Sequence, residues 1–170
     1  MRMSLSQDGI DFIARHEGLR LTAYDDGNGK WTIGYGHTLE VNQGDTCTKE
    51  QALAWLEEDS QKAENGVNGL LWGDGGKKPA KSSPSLTQPQ FDALVDFTFN
   101  LGAGNFAKSS ILRNLYNENL TEAANSIWNT LGPNGTPDDR VWCKSGGVVN
   151  KGICNRRMDE KKLFLEGVYA

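Results

Sequence analysis

The sequence predicts an α+β fold in which a small β region near the N-terminus is followed only by helices. Apolar residues recur at helical spacing over residues 5–17 and again in several segments after residue 48. Between these segments, residues 21–24 and 31–35 have strand-like composition and flank a dense turn signal, Asp25-Asp26-Gly27-Asn28-Gly29. Strands that are segregated from helices along the chain are typical of α+β domains.

The full set of predicted elements follows from capping signals and periodicity. Ser6 caps the first helix, and Thr48 with Gln51 forms a capping box at the start of the second. In chain order we expect a helix over 5–17, strands over 21–24 and 31–35, a short strand near 45–47, and helices over 48–64, 87–101, 110–117, 121–131 and 155–166. The glycine-rich stretches 66–85 and 132–152 are expected to be loops.

Length, composition and charge restrict the possible functions. The 170 residues have the length of one ordinary domain, so we expect a single domain over 1–170. A net charge of −4 argues against a nucleic-acid partner, which normally requires a basic face. No segment approaches the roughly 18 apolar residues of a membrane span, so no membrane insertion is expected. The N-terminus has no apolar run of the signal-peptide type, which predicts a cytoplasmic start.

The three cysteines, Cys47, Cys143 and Cys154, are too few for a disulfide-stapled domain, and their number is odd. Cys143 and Cys154 have two possible states, a disulfide across the glycine-rich loop or buried thiols, and the thiols are favoured. No Cys/His spacing of a metal site is present in the sequence, so neither a metal nor a cofactor is expected.

Two carboxylic residues in the first third of the chain have contrasting surroundings. Glu17 falls at the C-terminal end of the first helix, where the helix dipole disfavours a charged carboxylate and favours its protonated form. Asp26 lies in a polar turn, where it should stay ionised. Glycosidic bond cleavage uses such a pair, a protonated acid on one side of the sugar and an ionised group on the other.

Thr32 follows Asp26 by six residues on the returning strand, so a hairpin would bring the two side chains close together. The hydroxyl of Thr32 is then available to help Asp26 orient a water molecule. Each residue also has an ordinary structural interpretation, because a Glu before a helix-ending glycine is usually solvated and an Asp in a turn usually bonds nearby backbone. Spacing alone leaves both interpretations open.

The first block of motifs resembles the signature of the phage-type lysozymes, glycoside hydrolase family 24. Its members are Glu17-Gly18, Tyr24, Asp26, Gly29 and the run Thr-Ile-Gly-Tyr-Gly-His over 32–37. The family places Glu, Asp and Thr with eight and then five residues between them, and this sequence has the same spacing. Blocks over 86–105 and 142–157 are also similar, so the resemblance covers nearly the whole chain.

The resemblance implies a role for each matching residue. Glu17 is implied to be the general acid, and Asp26 to position and activate the water or to stabilise the cationic transition state. Thr32 is implied to assist at that water. Arg156 is implied to pair with Glu17 and hold its rotamer, and Asn100 to face the cleft.

Four further residues have expected roles or positions. We expect His37 to be structural, anchoring the end of a strand by hydrogen bonding near Glu17. We expect His16 to lie at the surface. Tyr24 has two possible roles, stacking on a sugar or packing the hairpin. Gly34 is expected at a position of close approach in the floor of the cleft.

The fold implied by the resemblance is that of a two-lobed lysozyme. A small lobe over about 15–50 holds the hairpin, and a larger helical lobe over about 86–170 also includes the first helix. The helix over about 48–64 links the lobes, with the cleft between them. Segments 66–85 and 130–140 are longer than is usual in the family.

The implied activity is hydrolysis of the β-1,4 bond between N-acetylmuramic acid and N-acetylglucosamine in peptidoglycan. The family is regarded as inverting, which implies a carboxyl separation of roughly 6.5–9.5 Å. The implied role is lysis of the host cell at the end of a phage cycle. The protein is expected to be a monomer, and a separate holin-like protein would give it access from the cytoplasm to the wall.

Two alternatives remain, a lytic transglycosylase and a peptidoglycan-binding module with a decayed site. A transglycosylase needs a catalytic Glu but no Asp to handle water. The presence of Asp26 and Thr32 disfavours both alternatives.

Overall fold

The computed structural model describes residues 2–27, 29–73, 84–128 and 141–169. It confirms the α+β class, with a small antiparallel hairpin and a larger helical part. The elements in chain order are α1 (Gln7–Glu17), β1 (Arg20–Asp25), β2 (Trp31–Gly34), α2 (Lys49–Trp72), α3 (Gln88–Leu101), α4 (Ala103–Lys108), α5 (Ser110–Tyr116), α6 (Leu120–Ile127), β3 (Lys144–Ser145), β4 (Val148–Val149) and α7 (Lys151–Glu166).

Helix α1 has the predicted cap and the predicted end, but it begins at Gln7 instead of residue 5. The Ser6 hydroxyl accepts a hydrogen bond from the Gly9 backbone N–H at 3.0 Å, which satisfies one of the free N–H groups of the first turn. Gly18 ends the helix with φ +72°, a conformation that other residues rarely adopt. Ile13 is completely buried in the main core, so Glu17 ends a helix that is anchored by packing.

Strands β1 and β2 form the predicted hairpin, in which Tyr24 lies opposite Thr32. The short strand predicted near 45–47 is reduced to one bridge between Thr22 and Thr46. Two backbone bonds flank this bridge, and one of them joins Cys47 N to Leu21 O at 3.0 Å. The β region therefore has two strands and an attached extended segment.

Helix α2 begins at the predicted Thr48 capping box but is longer than predicted. The predicted end near residue 64 and the predicted loop start at residue 66 are both wrong, since the helix continues to Trp72. Gly66 serves helix packing, because a Cβ there would lie only 2.8 Å from the Ala103 Cβ of α4. Val67 and Leu71 are fully buried in this added part. Residues 74–83 of the predicted loop lie outside the described residues.

Helix α3 provides the centre of the helical part, as its apolar sequence predicts. The capping box of Thr87 and Gln90 is present at its start. Phe91, Leu94 and Phe97 are fully buried in the main core. The same core cluster takes in residues from α1 and α2 and from the helices that follow α3, so α3 is surrounded by the other helices.

The last third of the chain departs from prediction in two described places. Helix α7 begins at Lys151 instead of residue 155, because Asn150 caps it through a bond from Ile153 N at 3.1 Å. The predicted loop contains a second hairpin, β3–β4, that turns through Gly146 and Gly147. Helix α6 ends at Ile127, and the predicted continuation over 129–131 falls outside the described residues, as does 130–140.

The three cysteines are thiols, as was favoured from the sequence. Cys143 and Cys154 are buried beside Trp128 in a small cluster of their own. In the described part of the chain no helix is both long and apolar enough to cross a membrane.

Candidate active site

The carboxylate of Glu17 lies at the end of α1 and faces helix α7. Arg156 Nη1 donates a hydrogen bond to Glu17 Oε1 at 2.5 Å, which is the pairing that the resemblance implied. The Glu17 side chain keeps 23% of its surface exposed, whereas that of Arg156 keeps 6%. Glu17 is thus accessible to a ligand on one side and held by a buried cation on the other.

Arg156 is itself fixed by a second carboxylate, Asp96 of α3. Arg156 Nε donates to Asp96 Oδ2 at 3.0 Å, and Arg156 Nη2 donates to Asp96 Oδ1 at 2.7 Å. Asp96 has no exposed surface. Two parallel bonds to a carboxylate fix the plane of a guanidinium group, so the position of Nη1 beside Glu17 is also set.

Burial and neighbouring charge shift the pKa values of Asp96 and Arg156 in opposite directions. Burial alone would raise the pKa of Asp96, but the Arg156 charge, together with side-chain hydrogen bonds from Glu160 and Arg156, holds that pKa below its usual value. Burial alone would lower the pKa of Arg156, but Asp96 and Glu17 raise it further above its usual value. Both shifts favour the charged forms, so the buried pair is ionised at neutral pH.

A second pair on α7 lies next to the first. Arg157 Nη2 donates to Glu160 Oε1, and both side chains are fully buried. The Arg157 guanidinium also lies over the Phe97 ring, with its central carbon 5.0 Å from the ring centroid. Burial raises the pKa of Glu160 well above its usual range, against the lowering effect of Arg157. Glu160 Oε1 is 3.8 Å from Arg156 Nε, farther than the bonded oxygens of Asp96.

Asp26 lies in the exposed turn of the first hairpin. Its Oδ1 accepts a hydrogen bond from Lys30 N at 3.2 Å, and its own N–H donates to Lys30 O at 3.1 Å. The neighbouring Asp25 accepts from Gly27 N at 2.8 Å, which makes it a turn-forming residue. Asp26 is therefore held through the turn backbone while its side chain remains open to solvent.

Thr32 lies one strand away, on β2, and is 4% exposed. Its hydroxyl donates a weak hydrogen bond to Lys30 O at 3.4 Å. Because Asp26 and Thr32 both contact Lys30, the hairpin brings them to the same end of β2.

Tyr24 lies on β1 opposite Thr32 and is half-buried. The Arg20 guanidinium lies over its ring at 4.3 Å from the centroid. One ring face is thus occupied by a cation from the same strand, which is consistent with a role in packing the hairpin.

Gly34 and Gly36 both require the absence of a side chain. Gly34 has φ +65°, and a Cβ there would lie 3.0 Å from the Ala52 Cβ of α2. The predicted close approach is therefore between the hairpin and α2. Gly36 has φ +94°, and its Cβ position is 3.8 Å from Glu17 Oε2. The loop after β2 accordingly runs directly beside the Glu17 carboxylate.

The two histidines differ in their contacts. His37 Nδ1 is 2.9 Å from Asp59 Oδ2, and its ring stacks on Trp55 with the centroids 4.8 Å apart. His37 thus fastens the loop after β2 to helix α2, which is an anchoring contact of the kind expected. His16 was predicted at the surface, which is wrong, since it packs edge-on against Phe12 with 16% of its side chain exposed. Burial lowers the pKa of His16.

Asn100 is exposed near the end of α3, one turn after Asp96.

Sequence reasoning missed Asp96, Asp59 and Glu160. Asp96 had a usable signal, because it is a charged residue within the most apolar helix of the chain. Glu160 stands four residues after Arg156, at the spacing of an intrahelical ion pair.

Comparison with known proteins identifies the family. The model of the family described as phage lysozyme matches residues 14–160. The endolysin of Bacillus phage PZA is 39% identical over 97% of this chain, and the chain spans 56% of that protein, so a little over half of its length. The endolysin of Salmonella phage P22 is 37% identical, over 96% of this chain and 99% of its own.

A solved structure gives the same result for the fold. The muramidase domain of SpmX from Asticaccaulis excentricus superposes with a TM-score of 0.78 at 35% identity, covering 96% of this chain and 99% of that one. The small hairpin and the larger helical part are therefore features of a known architecture. On the family model and these relatives together, this chain belongs to the phage lysozyme family.

Proposed function

We propose that this protein is a muramidase that hydrolyses the β-1,4 bond between N-acetylmuramic acid and N-acetylglucosamine in peptidoglycan. The observation that carries the proposal is the Glu17 carboxyl group, which is partly exposed at a helix end and held by buried Arg156. Family membership supports this class of activity. The endolysin names of the relatives support the cell wall as the substrate.

Glu17 and Asp26 take different parts in the proposed reaction. Glu17, in its protonated form, donates its proton to the glycosidic oxygen as the bond to the anomeric carbon breaks. Asp26, which is exposed and ionised, accepts a proton from the water that attacks the same carbon from the opposite face. Thr32 helps to place that water. One proton leaves Glu17 and one arrives at Asp26, so both new sugar ends are neutral hydroxyl groups. Because the water attacks opposite the leaving oxygen, the configuration is inverted at the anomeric carbon alone.

The proposed biological role is lysis of a bacterial host at the end of a phage cycle. We propose that the protein acts as a monomer on peptidoglycan and that a separate permeabilising protein of the holin type supplies access to the wall. Neither a cofactor nor a metal takes part in the proposed mechanism. In the described part of the chain, His, Cys, Asp and Glu side chains form no group that could hold a metal ion.

The first test is lysis of outer-membrane-permeabilised Gram-negative cells, followed as loss of turbidity. The Glu17→Gln variant keeps the size of the side chain and removes the proton donor, so clearing should fall by at least about 10³-fold. Glu166→Gln is a matched control, because Glu166 is also the last residue of a helix and also precedes a glycine, but it is exposed at the end of α7. It should clear at the parent rate. Full activity of Glu17→Gln would contradict the proposed mechanism.

Analysis of the released fragments separates the remaining alternatives. Hydrolysis leaves reducing ends, whereas a lytic transglycosylase leaves 1,6-anhydro ends. A binding module with a decayed site would retain peptidoglycan in a pull-down and release nothing. The anomeric form of the first product, read by proton NMR before mutarotation, tests inversion.

A further inference from the structure

We infer that Asp96 is a positioning residue for the acid: it binds the Nε and Nη2 side of Arg156 and thereby presents Nη1 to Glu17 in a fixed place. The inference rests on the proposed function, since it assigns Asp96 a part in supporting Glu17. The geometry that carries it is the chain of contacts from α3 to α7 to α1, through three side chains and three hydrogen bonds.

The shape of the guanidinium group explains the positioning. Arg156 is long and flexible, and a single contact to Glu17 would leave its plane free to rotate. Asp96 holds two of its nitrogens at 3.0 Å and 2.7 Å and is completely buried. The third nitrogen then points at the Glu17 carboxylate, which restricts the orientation of the acid.

The charge of Asp96 matters as much as its shape. An arginine beside a carboxylate favours the ionised form, which a general acid cannot use. Asp96 shares the Arg156 charge, so Glu17 experiences only part of it. Because the Arg156 charge holds the pKa of Asp96 low, Asp96 remains ionised and this compensation persists at neutral pH.

Other titratable groups lie near this cluster. They come from α1 and α7 and comprise His16, Asp159, Arg157 and Glu160. Burial lowers the pKa of His16 and raises that of Glu160, so burial favours the neutral form of each. The Asp159 side chain is 42% exposed and screened by solvent. Arg157 bonds to Glu160. Asp96 is therefore the carboxylate beside Glu17 that both touches Arg156 closely and stays charged.

The test compares Asp96→Asn with Asp92→Asn. Asp92 is a buried aspartate one turn earlier on α3 that bonds Ser6, Gln88 and Tyr169 instead of Arg156. Asp96→Asn keeps one acceptor oxygen but replaces the other with an amide nitrogen, so only one of the two bonds to Arg156 can form. Nη1 is then no longer held in a fixed place beside Glu17, and the reaction depends on that placement.

Further readouts separate positioning from simple destabilisation. The kcat of Asp96→Asn should fall about 10-fold while KM stays within about twofold, because the residues that contact the substrate are unchanged. Asp92→Asn should lower Tm and leave kcat at the parental value. A parental kcat in folded Asp96→Asn would overturn the inference, as would an equal fall of kcat in Asp92→Asn.

A crystal structure of Glu17→Gln tests the geometry without changing Asp96 and without requiring activity. If Asp96 positions Arg156, both bonds between them should persist in this variant, with Nη1 still directed at residue 17. Departure of Arg156 from Asp96 would refute the positioning, whatever the activity of the parent. A parent protein that cleaves nothing, with Arg156 still held by Asp96, would instead refute the proposed function alone.

Discussion

The two sides of the candidate active site are built in opposite ways. On the helical side, Glu17 contacts Arg156, which is 5% exposed, and Arg156 is bound by Asp96, which is fully buried. On the hairpin side, Asp26 is exposed and held by the backbone of Lys30. A general acid gains from a fixed orientation and partial burial, whereas a carboxylate that handles water needs solvent and a negative charge. The same residue class can therefore serve two purposes when its surroundings differ.

This difference also predicts where substitutions affect stability and where they affect only activity. Removing one partner of a buried ion pair leaves the other partner charged and without compensation, which destabilises the fold. An exposed turn residue has no such effect on folding. The following predictions test that division.

The largest expected effect comes from Arg156→Ala. It leaves the buried Asp96 carboxylate without its cation, and we expect the free energy of unfolding to fall by about 3–5 kcal/mol. Urea denaturation followed by circular dichroism measures this loss. Arg20→Ala is the matched change on the hairpin, where the exposed guanidinium lies over Tyr24, and it should cost less than about 1 kcal/mol. Equal losses in the two variants would contradict the proposed difference between the sides.

The second largest expected effect is a loss of activity with almost no change in stability. Asp26→Asn keeps the oxygen that accepts from Lys30 and removes the charge, so we expect kcat to fall about 10²-fold. The free energy of unfolding should change by less than about 0.5 kcal/mol. Asp25→Asn at the neighbouring position keeps the turn-forming acceptor and should retain activity. An Asp26→Asn variant with parental kcat would remove Asp26 from the mechanism.

The smallest expected effect tests how the hairpin is attached. Gly34→Ala combines a left-handed backbone with a Cβ 3.0 Å from the Ala52 Cβ, and we expect a loss of about 2 kcal/mol in unfolding free energy. Gly44→Ala has φ +89° and no atom within 4 Å in the described part of the chain, so only the backbone cost of about 1 kcal/mol applies. Thermal unfolding of both variants checks the difference. Indistinguishable losses would show that contact with α2 does not constrain the hairpin.

Local signals in the sequence predicted the elements around Glu17 and Asp26 well. The Ser6 cap and Gly18 bracket α1, and the turn residues between β1 and β2 specify the hairpin. The sequence predictions were wrong where a glycine can serve either in a loop or at a close contact between helices. Gly66 was interpreted as part of a loop, yet it lies inside α2, where its lack of a side chain lets α4 approach. Only the packing partner distinguishes these uses.

The sequence by itself determined the α+β class, the position of Glu17 at a helix end and the placement of Asp26 in a turn, because capping, periodicity and turn chemistry act over a few residues. The tertiary structure decided what surrounds these groups. It joined Asp96 to Arg156 over 60 residues of chain and Arg156 to Glu17 over 139. Such contacts depend on how α1, α3 and α7 pack. Burial among those helices determines that the charge of Asp96 is balanced by Arg156, whereas the carboxyl group of Asp26 remains open to water.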